Sequence, residues 1–249
     1  MSSEEKFLLE LNIFRNEVIL LSKYLYMELA IHVIVNKNKH ILSTMNRTPT
    51  FWNTVLSGFQ NSTFITIGRI FDNESKHNIH TLFKVVENNK SLFSKKSFKK
   101  RWVNNEDKKT DKMNSYLKKY MESFYEPTDD DFRKFKKFIS KQQKIYENIY
   151  RPIRHQFGHK KYSTNEEVKI LFDKVNISEL EKFCILLEGI HEALWQLYHN
   201  GRGPLLPMKK ERYSTKNILR TKFMPHELKP ANAQFIDEVS TVLNILKKK

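Results

Sequence analysis

Apolar positions in this chain recur at three- and four-residue steps over most of its 249 residues, the period of a helix. The longest run covers residues 3–36. Phe7, Leu11, Phe14, Val18, Leu21 and Leu25 form one stripe there, and Leu9, Ile13, Leu20, Tyr24, Met27, Ile31 and Ile34 form a second. Two apolar faces predict one long helix buried on two sides, as at the centre of a bundle or a dimer. Pro49 suits a first helical position with Thr48 as N-cap, which predicts a second helix to about Asp72. That helix carries Trp52, Val55, Phe59, Ile67 and Ile70. Its middle is small and polar (Ser57, Gly58, Asn61, Ser62, Thr63, Thr66, Gly68), which allows another helix to approach closely.

Residues 73–80 read as a connection and His80–Asn88 as a short helix. Residues 90–119 are Lys-rich and weakly patterned, which predicts an insertion with one or two exposed helices. Thr128 with Asp131 marks a helix start. The helix that follows, to Gly158, would turn Phe135, Phe138, Ile139, Ile145, Ile149 and Ile153 inward. Pro152 lacks an N–H and crowds the carbonyl of Asn148, so a kink is expected just before residue 154. Gly158 fits a C-cap. Ser178 with Glu181 predicts a capping box opening a helix that carries Ile177, Leu180, Cys184, Leu187, Leu194 and Tyr198 and stops at Gly201. Residues 201–226 look irregular, and a last helix at about 229–246 offers Phe235, Val239, Val242 and Leu246. The fold class expected is all-α: a helical bundle over residues 1–200 with a basic insertion at about 89–127, then a linker and C-terminal helix over 201–249.

Composition agrees with that class. Six Gly and seven Pro leave long stretches without either, and 18 Phe supply a core. Charge adds something new. Lys+Arg is 44 against 28 Asp+Glu, a net +16, and a chain this basic usually meets a polyanion. Spread lysines can equally serve only to solvate a surface. The single cysteine, Cys184, excludes an intramolecular disulfide and points to a reducing compartment. The chain begins Met-Ser-Ser-Glu-Glu, without the basic start of a signal peptide, and no uninterrupted apolar run approaches the roughly 20 residues of a membrane span. A cytoplasmic protein without a membrane partner is expected.

The chemistry concentrates at residues 151–162, Arg-Pro-Ile-Arg-His-Gln-Phe-Gly-His-Lys-Lys-Tyr. Arg154 offers a planar fork of donors for a phosphate, and His155 and His159 titrate near neutral pH. Together these are the groups phosphodiester cleavage needs. On an ideal helix Arg154 and His159 lie roughly 140° apart, whereas His155 and His159 share a face. Arg154 and His159 can therefore meet only if the helix ends at Gly158 and the chain turns, or if a second copy completes the site. Lys160 and Lys161 are expected to bind RNA beside them, though the five residues together would also suit a plain basic helix terminus. Metal binding is not expected, because His155 and His159 lack a third ligand and His77 and His80 lie three apart in a loop. His191, on an apolar stripe, reads as a core histidine. Arg69 and Asp72 read as an intrahelical ion pair, with Asp72 able to orient His159 if the two helices abut. Lys99, Lys100, Arg101 and Trp102 belong to a basic run with interleaved aromatics, an RNA-contact surface or a solvated helix face.

Arg154-His155-x3-His159 resembles the Arg-polar-x-x-x-His signature of the HEPN superfamily (higher eukaryotes and prokaryotes nucleotide-binding domains). Phe51-Trp52 through Arg69-Ile70-Phe71-Asp72 is similar to the second helix of its abortive-infection AbiU branch, and the helix order over roughly residues 5–200 matches too. The resemblance implies a dimer with two motifs facing each other across a cleft. It also implies a metal-independent endoribonuclease, needing no cofactor, of the kind found among toxins and phage-defence effectors. His159 would then be the acid/base group, Arg154 would bind the scissile phosphate, and His155 would orient the site. A non-catalytic HEPN-like binding module is the alternative. Some toxins of the family carry a tyrosine two residues after the motif histidine, where an antitoxin modifies them. Here Lys161 stands in that place and Tyr162 one further on, which puts such a partner in doubt.

Overall fold

The structure is a computed structural model and describes residues 1–103, 111–159, 175–203 and 233–247. Among these residues every regular element is a helix, so the all-α expectation holds. The helices are α1 (Ser3–Asn36), α2 (Lys39–Asn46), α3 (Pro49–Phe71), α4 (Ile79–Asn88), α5 (Lys95–Val103), α6 (Asp111–Glu122), α7 (Asp129–Ile145), α8 (Arg151–His159), α9 (Ile177–Asn200) and α10 (Ala233–Lys247). A 3-10 turn, Lys90–Phe93, precedes α5, and a π-turn, Tyr146–Tyr150, joins α7 to α8.

The chain divides into two compact units. The first comprises Met1–Asn16, Arg69–Tyr146 and Ile185–Met208; the second comprises Glu17–Gly68, Glu147–Cys184 and Lys209–Lys249. The units interleave along the sequence.

α1 begins where Ser2 and Glu5 exchange hydrogen bonds, satisfying two orphan N–H groups of the first turn. All six residues of its first stripe are buried. The second stripe is not uniformly so. Leu9 is exposed, Ile13, Leu20, Tyr24 and Met27 are half-buried, and only Ile31 and Ile34 are buried. An 18-residue window of α1 is apolar enough, by length and composition, to cross a membrane, which differs from the expectation drawn from uninterrupted runs. Of that window 56% is buried inside the protein, as in a core helix.

α2 had no counterpart in the sequence pattern. Asn38 caps it by accepting from the N–H groups of His40 and Ile41, and Ile41 and Met45 are its buried residues. α10 packs against α2. Its buried face is Ala233, Ile236, Val239 and Leu243, while Val242, expected inside, is exposed.

α7 starts as expected. The Asp131 carboxylate accepts from the N–H of Thr128 at 2.8 Å, from its hydroxyl at 2.9 Å and from the Tyr125 hydroxyl at 2.6 Å. The inward face differs from the prediction. Phe132, Phe135, Ile139, Gln142, Tyr146, Tyr150 and Ile153 are buried, whereas Phe138, Ile145 and Ile149 are only half-buried. A π-turn, Tyr146–Tyr150, lies within this stretch and holds one residue more than an α-turn. Pro152 accounts for it: its missing N–H and bulky ring disfavour regular α geometry around Asn148.

At α9 the cap is Asn176, whose side-chain oxygen accepts from the N–H of Ser178 at 2.9 Å. The Ser178–Glu181 box expected there is therefore corrected by two residues, and Ile177 is exposed. Gly201 ends α9 with φ 51, a conformation natural only to glycine.

The basic insertion is more than a solvated face. Phe98, Leu117 and Phe124 are buried together, with Trp102, Tyr120 and Met121 packed on them. Phe98 and Tyr120 stack at 5.8 Å. The small core abuts the end of α9, where an added Cβ on Gly201 would lie 2.7 Å from Cζ of Phe124 and nearer still to other ring atoms.

Candidate functional site

α8 is anchored from its first residues. Tyr150, the last residue of the π-turn, is buried between Phe64 of α3 (ring centroids 6.1 Å) and Phe183 of α9 (5.2 Å, edge-on). Burial pushes its phenol well above the usual range, aided by the fields of Cys184 and Glu179, so it stays neutral. Cys184 is itself fully buried and accepts a long contact, 3.8 Å, from the Ser22 hydroxyl. Ile153 adds a second buried anchor one turn on.

Arg154 follows and is half-buried. Its side chain lies directly across Gly68 of α3. A Cβ built on Gly68 would sit 2.8 Å from the guanidinium carbon Cζ of Arg154, and closer still to Cδ and Nε. No side chain larger than hydrogen leaves room for the arginine in this position. His155 is exposed. α8 continues through Gly158 to His159, so Gly158 lies inside the helix and is not its cap. The positions of Arg154 and His159 are then five helical steps apart, roughly 140° around the axis, while those of His155 and His159 share a face. A turn after Gly158 that would bring Arg154 and His159 together is not what α8 forms. The His159 side chain, Lys160 and Lys161 lie outside the described residues.

Arg69 and Asp72 belong to the first unit, and Arg154 and His155 to the second. Arg69 is exposed in the last turn of α3, and the main-chain carbonyl of Asp72 accepts from Asn78 at 3.1 Å, closing the turn into α4. His77 and His80 do not share a partner. His77 Nδ1 is 3.0 Å from the Glu10 carboxylate, and His80 Nε2 is 2.8 Å from Gln143. His191 is half-buried. Among the described residues no three His, Cys, Asp or Glu gather as a metal site would require.

The basic run of α5 divides. Lys99 and Lys100 are exposed, as are Lys95 and Lys96. Arg101 is not an RNA-facing residue but a structural one. Its Nη1 donates to the Leu92 carbonyl and its Nη2 to the Tyr198 carbonyl, each at 2.9 Å, and its guanidinium lies 4.0 Å from the centre of the Tyr198 ring. The Tyr198 hydroxyl donates in turn to Glu4. Trp102 packs into the insertion's own core, 6.3 Å from Tyr120. Both residues are corrections to the expected surface. The helical period turns two of four consecutive basic and aromatic positions inward, and the run carries no sign of which two.

Other features went unread in the sequence. On α1, desolvation pushes the Glu28 carboxyl up to about 7 and pulls His32 down. Their 3.9 Å separation is too long for a hydrogen bond, and neither holds the other ionised. On α3, Asn61 keeps its side-chain oxygen buried with no hydrogen-bond partner. It stands two turns before Gly68 on the same face.

Comparison with known proteins adds one finding. The family model for AbiU2, a HEPN family, matches residues 4–216. No curated protein and no solved structure matches the chain. The match spans α1 through α9, with the basic insertion and the motif of α8, and on that extent the chain belongs to the HEPN AbiU2 family.

Proposed function

We propose that this protein is a metal-independent endoribonuclease acting in phage defence or growth arrest. The observation that carries the proposal is the motif of α8: an arginine and two histidines at HEPN spacing, on a helix anchored by Tyr150 and Ile153. In this scheme the nucleophile belongs to the RNA. The 2′-oxygen attacks the adjacent phosphorus, and His159 takes its proton. The P–O5′ bond breaks, and the protonated His159 gives its proton to the leaving 5′-oxygen, so the imidazole ends neutral as it began. The products are a 2′,3′-cyclic phosphate and a 5′-hydroxyl, with no water consumed. Arg154 holds the phosphate and offsets the charge that builds on its oxygens. His155 orients the site.

Helix geometry argues for a second copy. With Arg154 and His159 roughly 140° apart on one helix, a cleft formed by two α8 segments supplies both groups to one phosphate. A homodimer joined through its motif-bearing helices and working in the cytoplasm completes the proposal; an inhibitor or antitoxin partner would have to act otherwise than on a tyrosine two residues after His159, where Lys161 stands.

The test is incubation of purified protein with cellular RNA and a chelator, beside Arg154→Ala/His159→Ala. Cleavage by the wild type alone, leaving cyclic-phosphate ends, is expected. Cleavage by both proteins would remove the motif from the mechanism. A second reading is favoured by the exposed Lys95, Lys96, Lys99 and Lys100 of α5: an RNA-binding module without catalysis. It predicts salt-sensitive binding by both proteins and cleavage by neither.

A further inference from the structure

We infer that Gly68 is a positioning residue: α3 presents a gap at this point, and the gap is the seat that sets where the Arg154 guanidinium lies. The inference rests on the ribonuclease reading only for its consequence in catalysis.

The geometry is local to the second unit, which contains both residues. α3 is an ordinary α-helix from Pro49 to Phe71, and Gly68 opens its last turn without a positive φ. Backbone conformation therefore gives no reason for glycine here. Alanine would form this helix better, since glycine in a helix interior is disfavoured by backbone entropy. A second glycine of the same helix makes the contrast. A Cβ on Gly58 would meet nothing within 4 Å, whereas one on Gly68 would meet three atoms of a single side chain, Cδ, Nε and Cζ of Arg154. Those atoms belong to the stem and head of the arginine, so the side chain passes over the glycine with its charged group against the helix.

The neighbours of Gly68 fix the rest. Ile67 and Ile70 are buried at 0% and 1% exposure, so α3 cannot easily rotate away. Ile153, next to Arg154, is equally buried, so α8 cannot withdraw. With both backbones held, an added methyl group has only the arginine to displace. A flexible side chain can give way at small cost in stability, but its head then leaves the seat. For a group that must meet a phosphate within a few tenths of an ångström, displacement of about 1 Å is costly to rate even when the fold is intact.

The decisive experiment is a two-by-two cycle of wild type, Gly68→Ala, Arg154→Ala and the double variant, with melting temperature and RNA cleavage read on each. The double variant lacks the clash. In the Arg154→Ala background, Gly68→Ala is expected to raise the melting temperature by roughly 2–4 °C through helix propensity alone. In the wild-type background the same change is expected to give no rise, or a fall. Cleavage by Gly68→Ala is expected to drop at least about tenfold in kcat with KM changed less than about threefold, as for an interaction made in the transition state. Adding it to Arg154→Ala should cost nothing more. An equal rise in melting temperature in both backgrounds, with wild-type cleavage by Gly68→Ala, would overturn the inference. A wild type that cleaves no RNA would remove the ribonuclease reading instead. The melting cycle would still decide whether Gly68 seats Arg154.

Discussion

Two arginines, Arg101 on α5 and Arg154 on α8, stand in similar sequence surroundings and have different neighbours. Arg101 directly follows Lys100 and Arg154 stands six residues before Lys160, both lie near an aromatic residue, and both are candidates for contact with RNA. Arg101 is held by the carbonyls of Leu92 and Tyr198 and by the face of the Tyr198 ring. Arg154 is laid over a glycine of α3. The first arginine's surroundings direct its donors at the protein itself. The second's surroundings consist in part of space deliberately left empty of side chain. Residue type and local charge cannot separate these cases. What separates them is a carbonyl 97 residues away in one and a missing methyl group 86 positions back in the other.

Activity separates the two arginines most. Arg154→Ala is expected to reduce kcat for RNA cleavage by about 10²–10³-fold, the usual cost of losing one group that stabilises developing charge, with a stability change under about 1 kcal/mol. A steady-state cleavage assay beside a thermal melt checks both. Arg101→Ala should do the reverse. Two carbonyls lose their donors and a ring loses its cation, a destabilisation of about 3 kcal/mol, while cleavage per folded molecule stays the same. Arg101→Lys should recover little of this, because one ammonium cannot reproduce a fork that reaches two carbonyls. Urea denaturation of both variants measures it.

Acidity sharpens the contrast on the side of the unit that carries Arg154. Glu28 belongs to it, and its carboxyl is raised from 4.5 to about 7 in the folded protein. A raised pKa means that the folded state binds the proton more tightly. Its contribution is thus complete below pH 4.5 and lost as pH climbs to about 7, on the order of 2–3 kcal/mol in total. Glu28→Gln is expected to flatten the fall in melting temperature between pH 5 and pH 8; an unchanged slope would contradict the assignment. The smallest effect is expected at the exposed lysines. Lys99→Ala/Lys100→Ala should weaken RNA binding a few-fold and reduce the salt slope by about 1–2, with stability within about 0.5 kcal/mol.

Much of this fold was legible before any coordinates. The span of α1 is carried by a stripe repeated along its whole length, and the start of α3 at Pro49, the Thr128–Asp131 cap and the stop at Gly201 each depend on residues within one turn of the feature. The failures share a cause as well. α2 is only eight residues long, with two buried side chains, too short for a periodic pattern to stand out. On α7 only Ile149 falls within the π-turn, which no template of period 3.6 contains; Phe138 and Ile145 lie before it and are apolar residues beside the buried stripe, which composition alone does not separate from residues within it. The division of the chain into interleaved units depends on contacts between segments far apart in sequence. For the candidate site, the spacing of Arg154, His155 and His159 was visible in one line of sequence, and the resemblance it carried proved to be the family. The seat under Arg154 was not, since a glycine in a helix announces only that a side chain is missing.

One feature of the insertion bears on how this protein can vary. The last carbonyls of a helix have no partners within it. At the end of α9 they find them in the insertion: Arg101 donates to Tyr198, the Tyr120 hydroxyl to Asn200 at 2.7 Å, and the main-chain N–H of Tyr125 to Gly201 at 2.7 Å. The Lys-rich segment is thus the lid of a helix written some seventy residues later. Its outward lysines are free to drift under whatever selection acts on charge, but the segment cannot be excised or traded for a shorter loop without uncapping α9. A lineage could recolour this surface indefinitely and never lose it.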